Sequence, residues 1–179
     1  MSCDISRGRL ENCKDSVGGL SAIYFVNKGA FDVADVTYDT VNTDAIESFG
    51  ALSSVPAFKF DIKGGSTYTE NIQGSRDNGT TVFEQVLELQ LTKLTKEDHK
   101  TIKLLAFGSP TVLVEDNNGN VFAAGLEHGL DISGGTIVSG AAMADMSGYT
   151  LTFTGMERAP ANFLDNTIAN AGFAVTSGT

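Results

Sequence analysis

The longest uninterrupted alternation in the chain, Thr80 to Lys93 (TTVFEQVLELQLTK), most restricts what it can become. Phe83, Leu87, Leu89 and Leu91 fall on one side of an extended backbone with Gln85, while Val82, Glu84, Val86, Glu88 and Gln90 fall on the other. A period of two is that of a pleated strand. The side that mixes valine with carboxylates fits a wall facing water or a neighbouring subunit.

Shorter segments repeat the theme between Gly, Asn, Asp and Ser turns, with 20 glycines, 3 prolines and no tryptophan. That pattern predicts a mostly β chain. LSAIYFVN (Leu20 to Asn27) is a first strand and AFDVADVTYD (Ala30 to Asp39) a second, whose alternation is imperfect enough that neither face is clearly the core. In PAFKFDIK (Pro56 to Lys63), Phe58, Phe60 and Ile62 share a face and are expected in the core, before a Gly64–Gly65 turn. TVLVED runs through Asn117-Asn118-Gly119-Asn120 into VFAAGLEHGLDI, and Asn-Gly between apolar runs predicts a hairpin. GGTIVSGAAMADMSGYTLTFTGME predicts another, turning near Met146 to Gly148, with Tyr149, Leu151 and Phe153 on one face of its second strand and Thr150, Thr152 and Thr154 on the other. Gly155 ends that strand and Pro160 keeps the exit extended.

One helix is expected, over about 95–107. Thr95 is a natural N-cap and Glu97 and Asp98 suit the positive end of the helix dipole. Ile102, Leu105 and Ala106 share the face that should pack on the sheet, and Gly108 and Pro110 stop the helix.

With 179 residues, 41% of them hydrophobic, the chain suits a single domain, 1–179, with its own core. No apolar run approaches the ~20 residues of a membrane helix, so no membrane insertion is expected. The opening MSCDISRGRL lacks the apolar stretch of a secretory signal, and export by that route is not expected. Net charge is −10, which disfavours nucleic-acid binding and serves solubility. The charge is unevenly placed. Lys93, Lys96, Lys100 and Lys103 lie in or beside the helix with only Glu97 and Asp98 for company; setting these aside from 12 basic and 22 acidic residues leaves 8 and 20, a balance of −12. A solvated helix face with i,i+4 ion pairs accounts for this, as does a two-sided object with a basic helix outside and acidic strands elsewhere. Cys3 and Cys13 are too few for a disulfide framework and too poor in partners for zinc, and are expected as reduced thiols.

No arrangement meets the needs of catalysis, so no enzymatic activity, catalytic residue, cofactor or metal is expected. DNNGN (Asp116 to Asn120) lacks the spacing and bidentate Glu of an EF-hand and reads as a turn. Glu127 and His128 with Asp131 could form a carboxylate–imidazole pair, more simply a surface polar pair. Glu84 and Glu88 stand ~13 Å apart on one strand face, too far for paired-carboxylate chemistry.

The order of elements is several strands, one capped helix, hairpins, a last strand and a tail. It resembles the tail-tube fold of tailed bacteriophages and the tube protein of type VI secretion. SGYTLTFTGMERAPANF resembles the end of phage tail-tube proteins, and CDISRGRLENCKDSVGGLSAIYFVN the entry to a phage structural protein. The resemblance implies a β-sandwich or barrel with one flanking helix, an N-terminal arm (1–18) and a C-terminal arm (159–179) reaching a neighbour. It implies hexameric rings stacked into a tube in the virion, assembled in the bacterial cytoplasm, with strands of neighbours paired into an inner barrel. Its partners would be itself and other tail proteins, such as a sheath or tape-measure protein. DNA would pass an acidic lumen without specific binding, and Asp32, Asp35, Asp39, Glu84 and Glu88 are the lumen candidates. Another virion ring protein (a tail terminator or neck protein) and a carbohydrate-binding β-sandwich are the alternatives.

Overall fold

The computed structural model describes residues 7–10, 14–50 and 54–178. Cys3 and Cys13 lie outside them. The strands are β1 (Leu20–Val26), β2 (Thr37–Tyr38), β3 (Ala45–Ser48), β4 (Val55–Asp61), β5 (Thr67–Ser75), β6 (Thr80–Thr92), β7 (Thr111–Asp116), β8 (Val121–Ala124), β9 (Asp131–Val138), β10 (Gly148–Glu157), β11 (Asn162–Leu164) and β12 (Phe173–Ser177). The single helix α1 is Lys96–Leu105. The strands form an eight-stranded sheet in the order β12-β4-β1-β7-β8-β11-β3-β2 and a four-stranded sheet in the order β5-β6-β10-β9. The architecture is that of a mostly β sandwich with one flanking helix.

β1 shows why the larger sheet reads as nearly continuous apolar sequence: both its faces are buried. Ile23 and Phe25 join Val112 and Val114 of β7 and meet Leu87, Leu89, Tyr149, Leu151 and Phe153 of the smaller sheet, with Ile102 and Leu105 of α1 closing the same core. Ala22, Tyr24 and Val26 face the other way, into a second core with Leu113, Val121, Ala123, Ile46, Phe49, Ile168 and Phe173. The larger sheet curls around this second core. β3 and β4 stand five places apart in it, ~24 Å if it were flat. Yet Phe49 and Val55 donate to the adjacent carbonyls of Ala171 and Gly172.

Several expectations are met. The Asn118–Gly119 turn joins antiparallel β7 and β8, with Gly119 at φ 84°. β9 and β10 form the second hairpin, although its loop runs from Ser139 to Ser147 and is closed by Asp145 accepting from the Ala141 and Ala142 amides at 2.9 and 2.7 Å. Thr95 caps α1 by accepting from the Asp98 amide, and Ile102 and Leu105 are buried, but Ala106, expected with them, is the exposed C-cap, and β10 runs past Gly155 to Glu157.

Others are corrected. The strand expected over Ala30 to Asp39 is a 3-10 turn at Val33–Asp35 followed by the two residues of β2, because the Asp32 carboxylate accepts from the Ala34 amide and turns the chain. Phe58, Phe60 and Ile62 do share a side, and Phe60 and Ile62 pack half-buried on the first core, Phe60 edge-on to Phe25, but Phe58 is exposed; the fully buried residues of β4 are Val55 and Ala57, which face the second core. The C-terminal segment, expected as an arm for a neighbour, belongs to its own chain. β11 lies between β8 and β3, β12 pairs in parallel with β4, and Ile168, Ala171 and Phe173 are core residues. At the N-terminal side, residues 14–18 are exposed and irregular, held at Val17, whose amide donates to Asn118 Oδ1 and whose carbonyl accepts from Asn118 Nδ2.

Candidate functional site

The smaller sheet is built around β6, paired with β5 on one side over Thr80 to Glu88 and with β10 on the other over Phe83 to Thr92. Its inner face is apolar apart from Gln85, Glu70 and Glu157; Gln85 is buried and accepts from the Gly125 amide at 2.7 Å. Its outer face is mostly polar: Thr67, Thr69, Asn71 and Gln73 on β5, Glu84 and Glu88 on β6, and Thr150, Thr152 and Thr154 on β10, interrupted by Val82, Val86 and Met156. Glu84 accepts from Asn71 Nδ2 at 3.3 Å and Gln73 Nε2 at 3.0 Å, and Glu88 accepts from Thr67 Oγ1 at 3.4 Å. All these donors are neutral. They position the two carboxylates without cancelling their charge, so the face keeps two uncompensated negative charges among hydroxyls and amides.

The two edges of this sheet, β5 and β9, have no strand partner among the described residues. β9 carries no charge from Ile132 to Val138, and Ile137 is 53% exposed; on β5, Ile72 is 71% exposed. A long strand edge with bare N–H and C=O groups, apolar side chains and no guarding charge is a template for another strand.

Of the five acids expected together, the structure places Glu84 and Glu88 on this face. Asp32, Asp35 and Asp39 lie elsewhere, in the segment between β1 and β3 whose Val36 packs into the second core. Asp32 caps the 3-10 turn, and Asp39 accepts from the Asn42 amide at 2.8 Å, a bond that holds its carboxyl below the usual aspartate range.

The carboxylate–imidazole pair exists with a different carboxylate. His128 Nδ1 lies 3.1 Å from Glu157 Oε2, while Asp131 accepts from Ser109. Glu157 is buried at the end of β10, and its Oε1 accepts from the backbone amides of Glu127 and His128 at 3.1 and 2.8 Å. Glu127, His128 and Glu157 are the described residues that come closest to a metal-ligand set, with ligand atoms within 4.8 Å of one another. Three N–H groups already occupy the Glu157 carboxylate, however, and the arrangement acts as a clasp on the β8–β9 turn. Gly129 in that turn has φ 84°, and a Cβ there would lie 2.4 Å from the Ser109 carbonyl oxygen, which accounts for glycine at that position. The cavity beside Glu157 and Gln85 measures about 80 Å³, against the ~300–1,000 Å³ of small-molecule sites. Asp116 is likewise occupied: it accepts from the amides and side-chain nitrogens of Asn118 and Asn120.

Glu157 was not legible as the partner of His128, since 29 residues separate them. The only signal was its position just after the last strong alternating strand. The free edges were equally hidden, because an edge is a property of the sheet order and not of the strand.

No family model, curated protein or solved structure matches the chain. The class defined by fold and surface is therefore stated from the molecule itself: a β-sandwich with one helix, whose smaller sheet leaves one face and both edges open.

Proposed function

We propose that the chain is a structural subunit of a bacteriophage tail tube, which closes into rings that stack around a DNA-conducting lumen. The observation that carries this reading is the smaller sheet: one face buried, one face open, polar and acidic, and two free edges. Such a sheet removes its edges by pairing β9 of one copy with β5 of the next until the series closes. Six copies would make a barrel of about 24 strands; barrels of ~16–18 already leave a water-filled channel. The buried face stays outward against the larger sheet and the open face lines the channel, so Glu84 and Glu88 face the lumen. Two rows of carboxylates among neutral hydroxyls repel phosphate and offer DNA no base-edge contact, which suits passage without binding. Asp32, Asp35 and Asp39 are then outside the channel wall. The chain has no catalytic role in this reading, and sheath or tape-measure proteins are its further partners in the virion.

Negative-stain microscopy of the purified protein over a concentration series, with and without a tail initiating complex, tests this. Hollow tubes or stacked rings are expected. Assembly that stops at one ring would move the assignment to a terminator or neck protein, and a chain that stays monomeric throughout and enters no virion would end it.

A further inference from the structure

The smaller sheet has different neighbours on its two flanks. On the β9 side stands α1: Ser109, just beyond the helix, bonds Asp131 at the start of β9, and Tyr149 of β10 reaches the Thr95 carbonyl. On the β5 side stand β11, β3 and β2. Glu70 of β5 accepts from the Ala161 amide at 2.8 Å, and Tyr68 stacks on Phe122, which packs on Phe163 of β11.

These flanks carry opposite charge. Lys96, Lys100 and Lys103 follow one another at i, i+4 and i+7 along an exposed stripe of α1. Between Lys28 and Lys59 the chain has five acids (Asp32, Asp35, Asp39, Asp44 and Glu47) and no base. Among the described residues, neither the three lysines nor the five acids form an ion pair, so the i,i+4 bridges that would explain a solvated lysine face are not present. Both flanks also expose apolar side chains. Leu104 and Phe107 are 64% and 84% exposed next to the lysines, and Leu104 lines an apolar cleft of about 430 Å³ floored by Phe58 and Phe60. Val41 and Tyr38 are 84% and 41% exposed among the acids. Apolar centres bordered by opposite charges are complementary surfaces.

We propose that the lysine stripe of α1 and the apolar cleft beside Leu104 in one copy dock against the acidic β2–β3 segment of the adjacent copy, forming a second contact behind the paired strands. The proposal rests on the tube-subunit reading, because pairing β9 with the next copy's β5 brings these flanks to the same seam. The contact is heterologous, so it does not stop at a dimer and closes a ring when the rotation between copies permits. It supplies what backbone pairing of the two edges lacks: a fixed direction, since two lysine flanks repel and two acidic flanks repel.

Charge reversal tests it. Lys96→Glu, Lys100→Glu and Lys103→Glu in one variant, and Asp35→Lys, Asp44→Lys and Glu47→Lys in another, should each raise the concentration needed for ring assembly at low salt by about tenfold or more. Combining both sets should restore assembly to within about threefold of the wild type. In rings built from a mixture of isotopically light and heavy wild-type chains, zero-length carbodiimide cross-linking should give mixed-isotope links between Lys96, Lys100 or Lys103 and Asp35, Asp44 or Glu47. This second measurement stands even where a reversed variant does not fold. Rings that form normally in both reversed variants, or wild-type rings without mixed-isotope links at these residues, overturn the docking and leave the tube reading intact. A chain that never assembles overturns both.

Discussion

At the scale of single residues, the decisive groups are buried or half-buried polar side chains that tie remote backbone together. Glu157 is the clearest. It offers one oxygen to two backbone amides and the other to an imidazole, and it ties the end of β10 to the β8–β9 turn. Charge-assisted bonds of this kind contribute ~1.5–3 kcal/mol each, and amides stripped of their acceptor lose more than the bond. Glu157→Ala should therefore lower unfolding stability by about 2–4 kcal/mol, and Glu157→Gln, whose carbonyl still serves the two amides, by less. Urea titration measures both; a loss under ~0.5 kcal/mol for the alanine variant would show that the clasp is ornamental. Asp116 makes a pH prediction. Partial burial works against its ionisation, but the bonds from Asn120 and Asn118 outweigh it and the carboxyl lies below the usual aspartate range. The folded-state value is depressed, so its contribution is complete above the unfolded value of ~3.9 and disappears as pH falls through the folded one. Unfolding midpoints should drop below about pH 4, and Asp116→Asn should flatten that limb.

At the scale of elements, α1 was legible almost residue for residue, since its signals are local: a cap, two carboxylates in the first turn, apolar residues three and four apart. Thr95 bonds the Asp98 amide at 3.0 Å and the Asp98 carboxylate at 2.6 Å. Thr95→Ala should cost about 1 kcal/mol and Thr95→Ser much less, read from thermal melts. The strands β1, β6 and β10 were equally plain. β2 was not, because an Asx-type bond from Asp32 overrode a weak alternation, and β4 was only half read: Val55 and Ala57 are fully buried in the second core, whereas the side of Phe58, Phe60 and Ile62 packs only partly on the first. That side of β4 faces a helix that only partly covers it. β9 carries a prediction of its own. Ser133→Lys with Thr136→Lys places two charges on the free edge without touching the core. The monomer's stability should change by less than ~0.5 kcal/mol, while assembly seen by analytical ultracentrifugation should be abolished.

At the scale of the whole molecule, two cores share one sheet, and charge is sorted by flank. An excess of acid is tolerable in a monomer and costly in a crowded ring unless opposite charges meet across the seam. The channel face has its own test. With Glu84→Lys and Glu88→Lys, tubes should still form, because strand pairing uses backbone groups, but they should retain duplex DNA at ~50 mM salt and release it at several times that concentration. Wild-type tubes should not retain it at either. Co-sedimentation reads the difference, and equal retention by both would remove Glu84 and Glu88 from the lumen.

What the sequence determined by itself was whatever depends on neighbours within about ten residues: the β class, the helix and its cap, the Asn-Gly hairpin, the apolar face of Tyr149, Leu151 and Phe153, and the polar face of Thr150, Thr152 and Thr154. Tertiary structure alone decided which strands became edges, that Ile168 and Phe173 fold into their own core, that Glu157 and not Asp131 holds His128, and that Asp32, Asp35 and Asp39 are absent from the face that Glu84 and Glu88 share. The reason is physical. Period and capping are set by bonds the backbone makes with itself at short range, whereas sheet order and burial are set by which distant apolar faces exclude water together.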